Sequence, residues 1–126
     1  MTNLRNEAAA LGLVGILAGA GVTHFTKPEF YEPMVPRPLG SPRAWVLGSG
    51  VVELAAAALV AIPRTRRLGG ALAAATFVGV FPANVQAALD GGMAHLDPPM
   101  SSALVAWLRL PLQIPLVVLA LRVARQ

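Results

Sequence analysis

The chain has 126 residues, of which 56% are apolar and only 13% charged, so most of it belongs in a medium other than water. Its net charge of +4 comes from arginines beside apolar stretches, with no basic stripe interleaved with aromatics, which argues against nucleic acid and for the headgroups of a lipid bilayer as partner. Cysteine is absent, and this excludes disulfides, thiol catalysis and thiolate metal ligation.

Four apolar stretches follow in chain order: Ala8 to Phe25, Ala44 to Ile62, Leu68 to Leu89, and Ala103 to Leu121. Each has roughly the 18 to 22 residues that a helix rising about 1.5 Å per residue needs to cross a hydrocarbon core of about 30 Å. The expectation is all-α: a four-helix transmembrane bundle forming a single membrane domain over residues 1–126, multi-pass in the cell membrane. The first stretch reads as a permanent helix and not as a secretory signal, because it is long and lacks a small-x-small cleavage site followed by a soluble domain. The connection Thr26 to Arg43 carries Pro28, Pro33, Pro36, Pro38 and Pro42, and the connection Asp90 to Ser102 carries Gly91, Gly92, Pro98 and Pro99. Both read as stiff, non-helical cover over one end of the bundle.

An even number of crossings puts both termini on one side. Arg5, Arg64, Arg66, Arg67, Arg122 and Arg125 flank the helices there, against Lys27, Arg37 and Arg43 on the other side. The positive-inside bias then makes the N and C termini cytoplasmic and the two long connections external.

Polar groups inside the apolar stretches carry the functional signal. Counted from the outer helix ends, His24 lies at the rim, Asn84 and Arg109 about 8 Å in, and Glu53 and Gln113 about 14 Å in. A charge at such depth costs roughly 2.5 to 3.5 kcal/mol on insertion scales, so it normally turns inward and finds a partner. Every helix contributes one or more of these groups, and the expected arrangement is a shared polar pocket open to the outer side. Glu53 and Arg109 form the candidate ion pair, with Gln113, level with Glu53, as the alternative neighbour. Arg109 and Gln113 are four residues apart and share a helix face, as do Ser49 and Glu53, while Gly50 and Ala57 let a neighbouring helix approach. Pro82, Pro111 and Pro115 withhold backbone donors from the carbonyls of Val78, Trp107 and Pro111, placing acceptors beside Asn84, Arg109 and Gln113.

Plainer readings stand beside these. A Glu53–Arg109 pair can serve only to fix helix register, and Asn84 and Gln113 only as interhelical hydrogen bonds. His24 can be an interfacial residue satisfied by water, His95 a solvated loop residue, and neither has a companion at metal-ligand spacing. Gly15-x-x-x-Gly19, with Gly12 on the same face, suits close helix contact within the bundle or in a dimer. Trp45, Trp107 and Tyr31 suit interfacial anchors, and the arginines between the second and third helices a topology signal.

Five runs in order resemble the DoxX-like family of small four-helix membrane proteins: Gly21-Val-Thr-His24-Phe25, Pro33-Met-Val-Pro36, Gly50-Val-Val-Glu53-Leu, Phe81-Pro82-Ala-Asn84-Val, and Arg109-Leu-Pro111-Leu-Gln113. The likeness spans nearly the whole chain. It implies a four-helix membrane bundle, and its relatives occur as subunits of quinone-linked sulfur oxidation enzymes, as maturation partners of redox enzymes, and in membrane complexes responding to oxidative stress. Position by position, the resemblance falls on His24, Glu53, Asn84, Arg109 and Gln113. Thiol-dependent roles of such relatives need cysteine, which this chain lacks.

Two function classes stay open. In the first, the chain is a non-catalytic membrane subunit or binding protein for a small hydrophobic molecule, with quinone the leading ligand and a homo-oligomer or redox complex as its setting. In the second, it is a membrane enzyme, isomerase-like or an oxidoreductase subunit, with Glu53 or His24 as acid/base on a lipophilic substrate. The first is preferred because an Arg109 beside Glu53 would hold the carboxylate ionised. Transport is disfavoured, since four short helices without an internal repeat leave little room for alternating access.

Overall fold

The computed structural model describes residues 4–32, 35, 40–91 and 103–126, apart from the side chains of Phe30, Ala103 and Ala106. Arg37, His95 and most of the Pro33–Pro36 run lie outside these residues, as does the connection from Gly92 to Ser102. The described chain is all-helical: α1 (Leu4–Thr26), α2 (Pro28–Tyr31), α3 (Pro42–Ala61), a 3-10 turn (Pro63–Thr65), α4 (Arg66–Gly79), α5 (Phe81–Leu89) and α6 (Ala103–Ala124). Four segments are long and apolar enough to cross a membrane: α1, α3, the Pro63–Leu89 segment that contains α4 and α5, and α6.

Two expectations need correction. The third apolar stretch is not one helix but α4 and α5, interrupted at Val80 (φ −87°, ψ −4°). Pro82 has no amide hydrogen to continue the ladder, so α5 begins afresh with proline in its first turn. The connection after α1 is not wholly non-helical either. Pro28, whose fixed φ suits a first helical position, opens the single turn of α2.

Local signals explain the remaining boundaries. Ser41 caps α3, its hydroxyl accepting from the Ala44 amide at 3.3 Å, and Pro42 follows in the first turn. At the other end of α3 the last-turn carbonyls find side-chain donors: Thr65 Oγ1 donates to Leu59 O at 2.7 Å and Arg66 Nε to Val60 O at 2.8 Å. The last carbonyls of a helix have no intrahelical donor, so these side chains serve as its cap.

The helices form a closed circuit, α1 against α3, α3 against α4, α4 against α6 and α6 against α1, with α5 against α6. The start of α1 and the end of α6 lie together, where Arg66 Nη1 donates to the two Glu7 oxygens at 3.0 and 3.1 Å and Gln126 Nε2 donates to Asn6 O. The core near that end is built from Ala10, Leu13, Leu17, Ala56, Val60, Ala73, Ala120 and Val123. Alanine and glycine bring backbones together: a Cβ on Gly70 would sit 2.5 Å from the Ala124 amide nitrogen, and one on Gly69 2.6 Å from that of Val60. Large apolar side chains such as Leu11, Val51, Val78, Leu108, Ile114 and Val118 point outward. Gly12, Gly15 and Gly19 also face open space, so they make no close contact inside the bundle.

Candidate functional site

The inward stripes of α1, α3, α5 and α6 each carry one polar residue, His24, Glu53, Asn84 and Gln113. On α1 the buried positions are Ala10, Leu13, Leu17, Gly21 and His24, spaced three or four apart as one helix face demands. On α3 they include Val46, Gly50, Glu53, Ala57 and Val60, and on α5 Asn84 with Ala87 and Ala88. His24, Glu53, Asn84 and Gln113 are all 9% exposed or less. Gly50 makes the α1–α3 approach possible, since a Cβ there would meet His24 Cβ and Phe25 at 2.9 Å.

These residues surround one cavity of about 310 Å³ at the end of the bundle away from the termini. His24, Glu53, Asn84, Arg109 and Gln113 all line it, together with Ser49 and Tyr31, against apolar walls that include Ile16, Trp45, Phe77 and Leu116. The five groups selected by depth and helical face are thus brought together.

Their pairing differs from the expected one. Glu53 Oε2 lies 3.2 Å from His24 Nδ1, and among the described residues no ion pair joins Glu53 to Arg109. The cause is the α1–α3 contact at Gly50, which sets the imidazole rather than the guanidinium over the carboxylate. His24 Nδ1 is also 2.5 Å from Ala20 O, one turn back on its own helix. The carbonyl can only accept, so it takes the Nδ1 hydrogen, and among the described residues Oε2 is a buried oxygen without a hydrogen-bond partner despite the short nitrogen–oxygen distance. The proximity is therefore a charge contact when the imidazole is protonated, and not a well-formed hydrogen bond.

Across the cavity, Asn84 Nδ2 donates to Gln113 Oε1 at 3.1 Å and Gln113 Nε2 donates to Phe77 O at 2.5 Å. Gln113 thus ties α6 to both halves of the interrupted span. The expected link between kink and polar group is present, but the carbonyl engaged is that of Phe77, one residue before Val78. Pro111 and Pro115 lie inside α6, which continues through both.

Tyr31 is the residue the sequence misassigned. Its ring stacks on that of His24 with centroids 4.1 Å apart and planes 5° from parallel, so it covers the cavity and is no interfacial anchor. Burial raises the phenol above its usual value and the Glu53 carboxylate pushes the same way, while a hydrogen bond with Thr23 and the Arg109 charge oppose both. Arg43 Nε donates to Glu32 Oε1 at 2.8 Å, tying the residue after Tyr31 to the start of α3. The available signal was Pro28 just past the end of α1, which starts a tight turn and folds Tyr31 back over the last inward residue of that helix. Among the described residues, no cluster of three His, Asp or Glu side chains is placed to hold a metal.

A family model described as a domain of unknown function (DUF8561) matches residues 13–124, which contain the whole cavity lining. The chain belongs to that family. Neither a curated protein nor a solved structure matches it. The family description assigns no chemistry, and its match to nearly the full chain makes the four-span body with its polar end the unit to be explained.

Proposed function

We propose that this chain is a DoxX-like integral membrane protein with cytoplasmic termini whose external-end cavity binds a small hydrophobic molecule, a quinone being the first candidate. It acts as a non-catalytic subunit or binding protein in redox or oxidative-stress metabolism, alone, as a homo-oligomer or within a redox complex. The DoxX-like likeness rests on the sequence runs, since the family match carries no link to it. The supporting observation is the cavity: about 310 Å³ of space with mostly apolar walls and seven convergent polar side chains is the form of a ligand site. The termini-end arginines, set against few cations at the cavity end, support the orientation.

Unbiased mass spectrometry of lipid extracts from the purified protein tests the binding reading. A hydrophobic molecule above detergent blanks is expected, lost both in Arg109→Ala and in Ala83→Leu, which fills the lined space. An empty extract, or equal retention by both variants, rules the reading out. For orientation, thiol labelling of intact cells should modify Lys27→Cys and spare Arg64→Cys; the reverse pattern inverts the topology.

One observation favours the enzyme reading enough to keep it. The objection that Arg109 holds Glu53 ionised loses its force, because Glu53 sits against His24 and itself lines the cavity. Glu53 or His24 would then exchange a proton with a lipophilic substrate. Conversion of the co-purifying molecule by wild type but not by Glu53→Gln selects this alternative, and identical recovery of unchanged molecule rejects it.

A further inference from the structure

We infer that the head of the molecule held here is a neutral hydroxyl set against Glu53, an inference that rests on reading the cavity as a ligand site. Most of the neighbouring polar groups have partners within the protein. Asn84 Nδ2 donates to Gln113 Oε1, Gln113 Nε2 donates to Phe77 O, and His24 Nδ1 lies against Ala20 O. Glu53 is different: the residue lines the cavity with its side chain 6% exposed, and among the described residues its Oε2 has no hydrogen-bond donor. A buried carboxyl group left short of donors is costly, and a donor brought to it by a ligand in the cavity offsets that cost.

Charge narrows the class. Glu53 and Arg109 line the same space, so a cationic head meets Arg109 and an anionic head meets Glu53 at low dielectric. A neutral head avoids both. Among neutral heads, a hydroxyl donates to an ionised carboxylate and also accepts from a protonated carboxyl, whereas an ether or ketone can only accept. The apolar walls and the flat His24–Tyr31 stack suit a phenol or alcohol carrying a hydrocarbon tail. For a quinone-type ligand this selects the hydroquinone over the quinone form.

The test uses tritiated 4-octylphenol and 4-octylanisole, which differ by one methyl on the head oxygen, with wild-type protein in lipid nanodiscs. Binding is read as the component displaced by excess unlabelled probe. The phenol should bind about ten-fold or more tightly than the anisole, the penalty for leaving the acceptor unmatched. In Glu53→Gln, whose amide can donate to an ether oxygen, the preference should narrow to within about three-fold. The wild-type comparison stands even if that variant does not fold. Equal displaceable binding of both probes, or a preference unchanged in Glu53→Gln, overturns the hydroxyl inference and leaves the ligand site standing. Displaceable binding of neither probe, with an empty lipid extract, removes the ligand site and this inference together.

Discussion

Replacing Gln113 with Leu removes two hydrogen bonds that join three helices at the cavity wall, leaving Asn84 Nδ2 and the Phe77 carbonyl without their Gln113 partners. Interhelical hydrogen bonds within a bilayer average about 0.6 kcal/mol and reach about 1.7, so losing two should cost about 1.2 to 3.4 kcal/mol. Asn84→Ala removes only the shared bond, with an expected loss of about 0.6 to 1.7 kcal/mol from that source. The double variant should then lose less than the sum of the two singles by about the worth of the shared bond, a coupling of the same 0.6 to 1.7 kcal/mol. Equilibrium unfolding in mixed micelles of increasing dodecyl sulfate fraction, followed by tryptophan fluorescence, measures all four corners of the cycle. Strictly additive losses would show that the Asn84–Gln113 bond contributes nothing. A Gln113→Leu variant as stable as wild type would refute the assignment of Gln113 as the tie across the α4–α5 break.

The same unfolding assay checks four further expectations. Gly70→Ala should destabilise by about 1 to 3 kcal/mol, because its Cβ would meet backbone atoms of α6 that can yield only by helix separation, whereas Gly15→Ala, facing open space, should gain up to about 1 kcal/mol; equal effects would refute the close α4–α6 approach. Arg66→Met should cost about 2 kcal/mol by stranding Glu7 and the Val60 carbonyl, with part recovered on adding Glu7→Gln; no recovery means that Glu7 contributes nothing through Arg66. Glu53→Gln and Arg109→Met, which share no ion pair, should lose stability additively, and a double variant more stable than either single would restore the pair. Tyr31 gives a pH signature: its phenol lies above the ordinary 10.0, so beyond pH 10 the folded state binds more protons than the unfolded. Its contribution is full below pH 10 and is lost as pH rises through the folded value, and Tyr31→Phe should remove that part of the alkaline decline; matching profiles for the two proteins would contradict the buried placement.

The four membrane-length segments, the inward faces of α1 and α3 and the convergence of His24, Glu53, Asn84, Arg109 and Gln113 were legible in the chain itself. Helical periodicity and the cost of burying polar groups in hydrocarbon act on each segment separately, and they leave few faces for such residues to occupy. Which of those residues touch was decided by the tertiary structure, because helix rotation and axial shift depend on contacts between segments. The Gly50 approach places His24 over Glu53 where opposite charge favoured Arg109 and depth favoured Gln113, and the break at Val80 lets Gln113 reach the Phe77 carbonyl. Tyr31 shows the same limit from a connection: a residue whose local context reads as an exposed aromatic becomes part of the cavity once α2 folds it onto the imidazole.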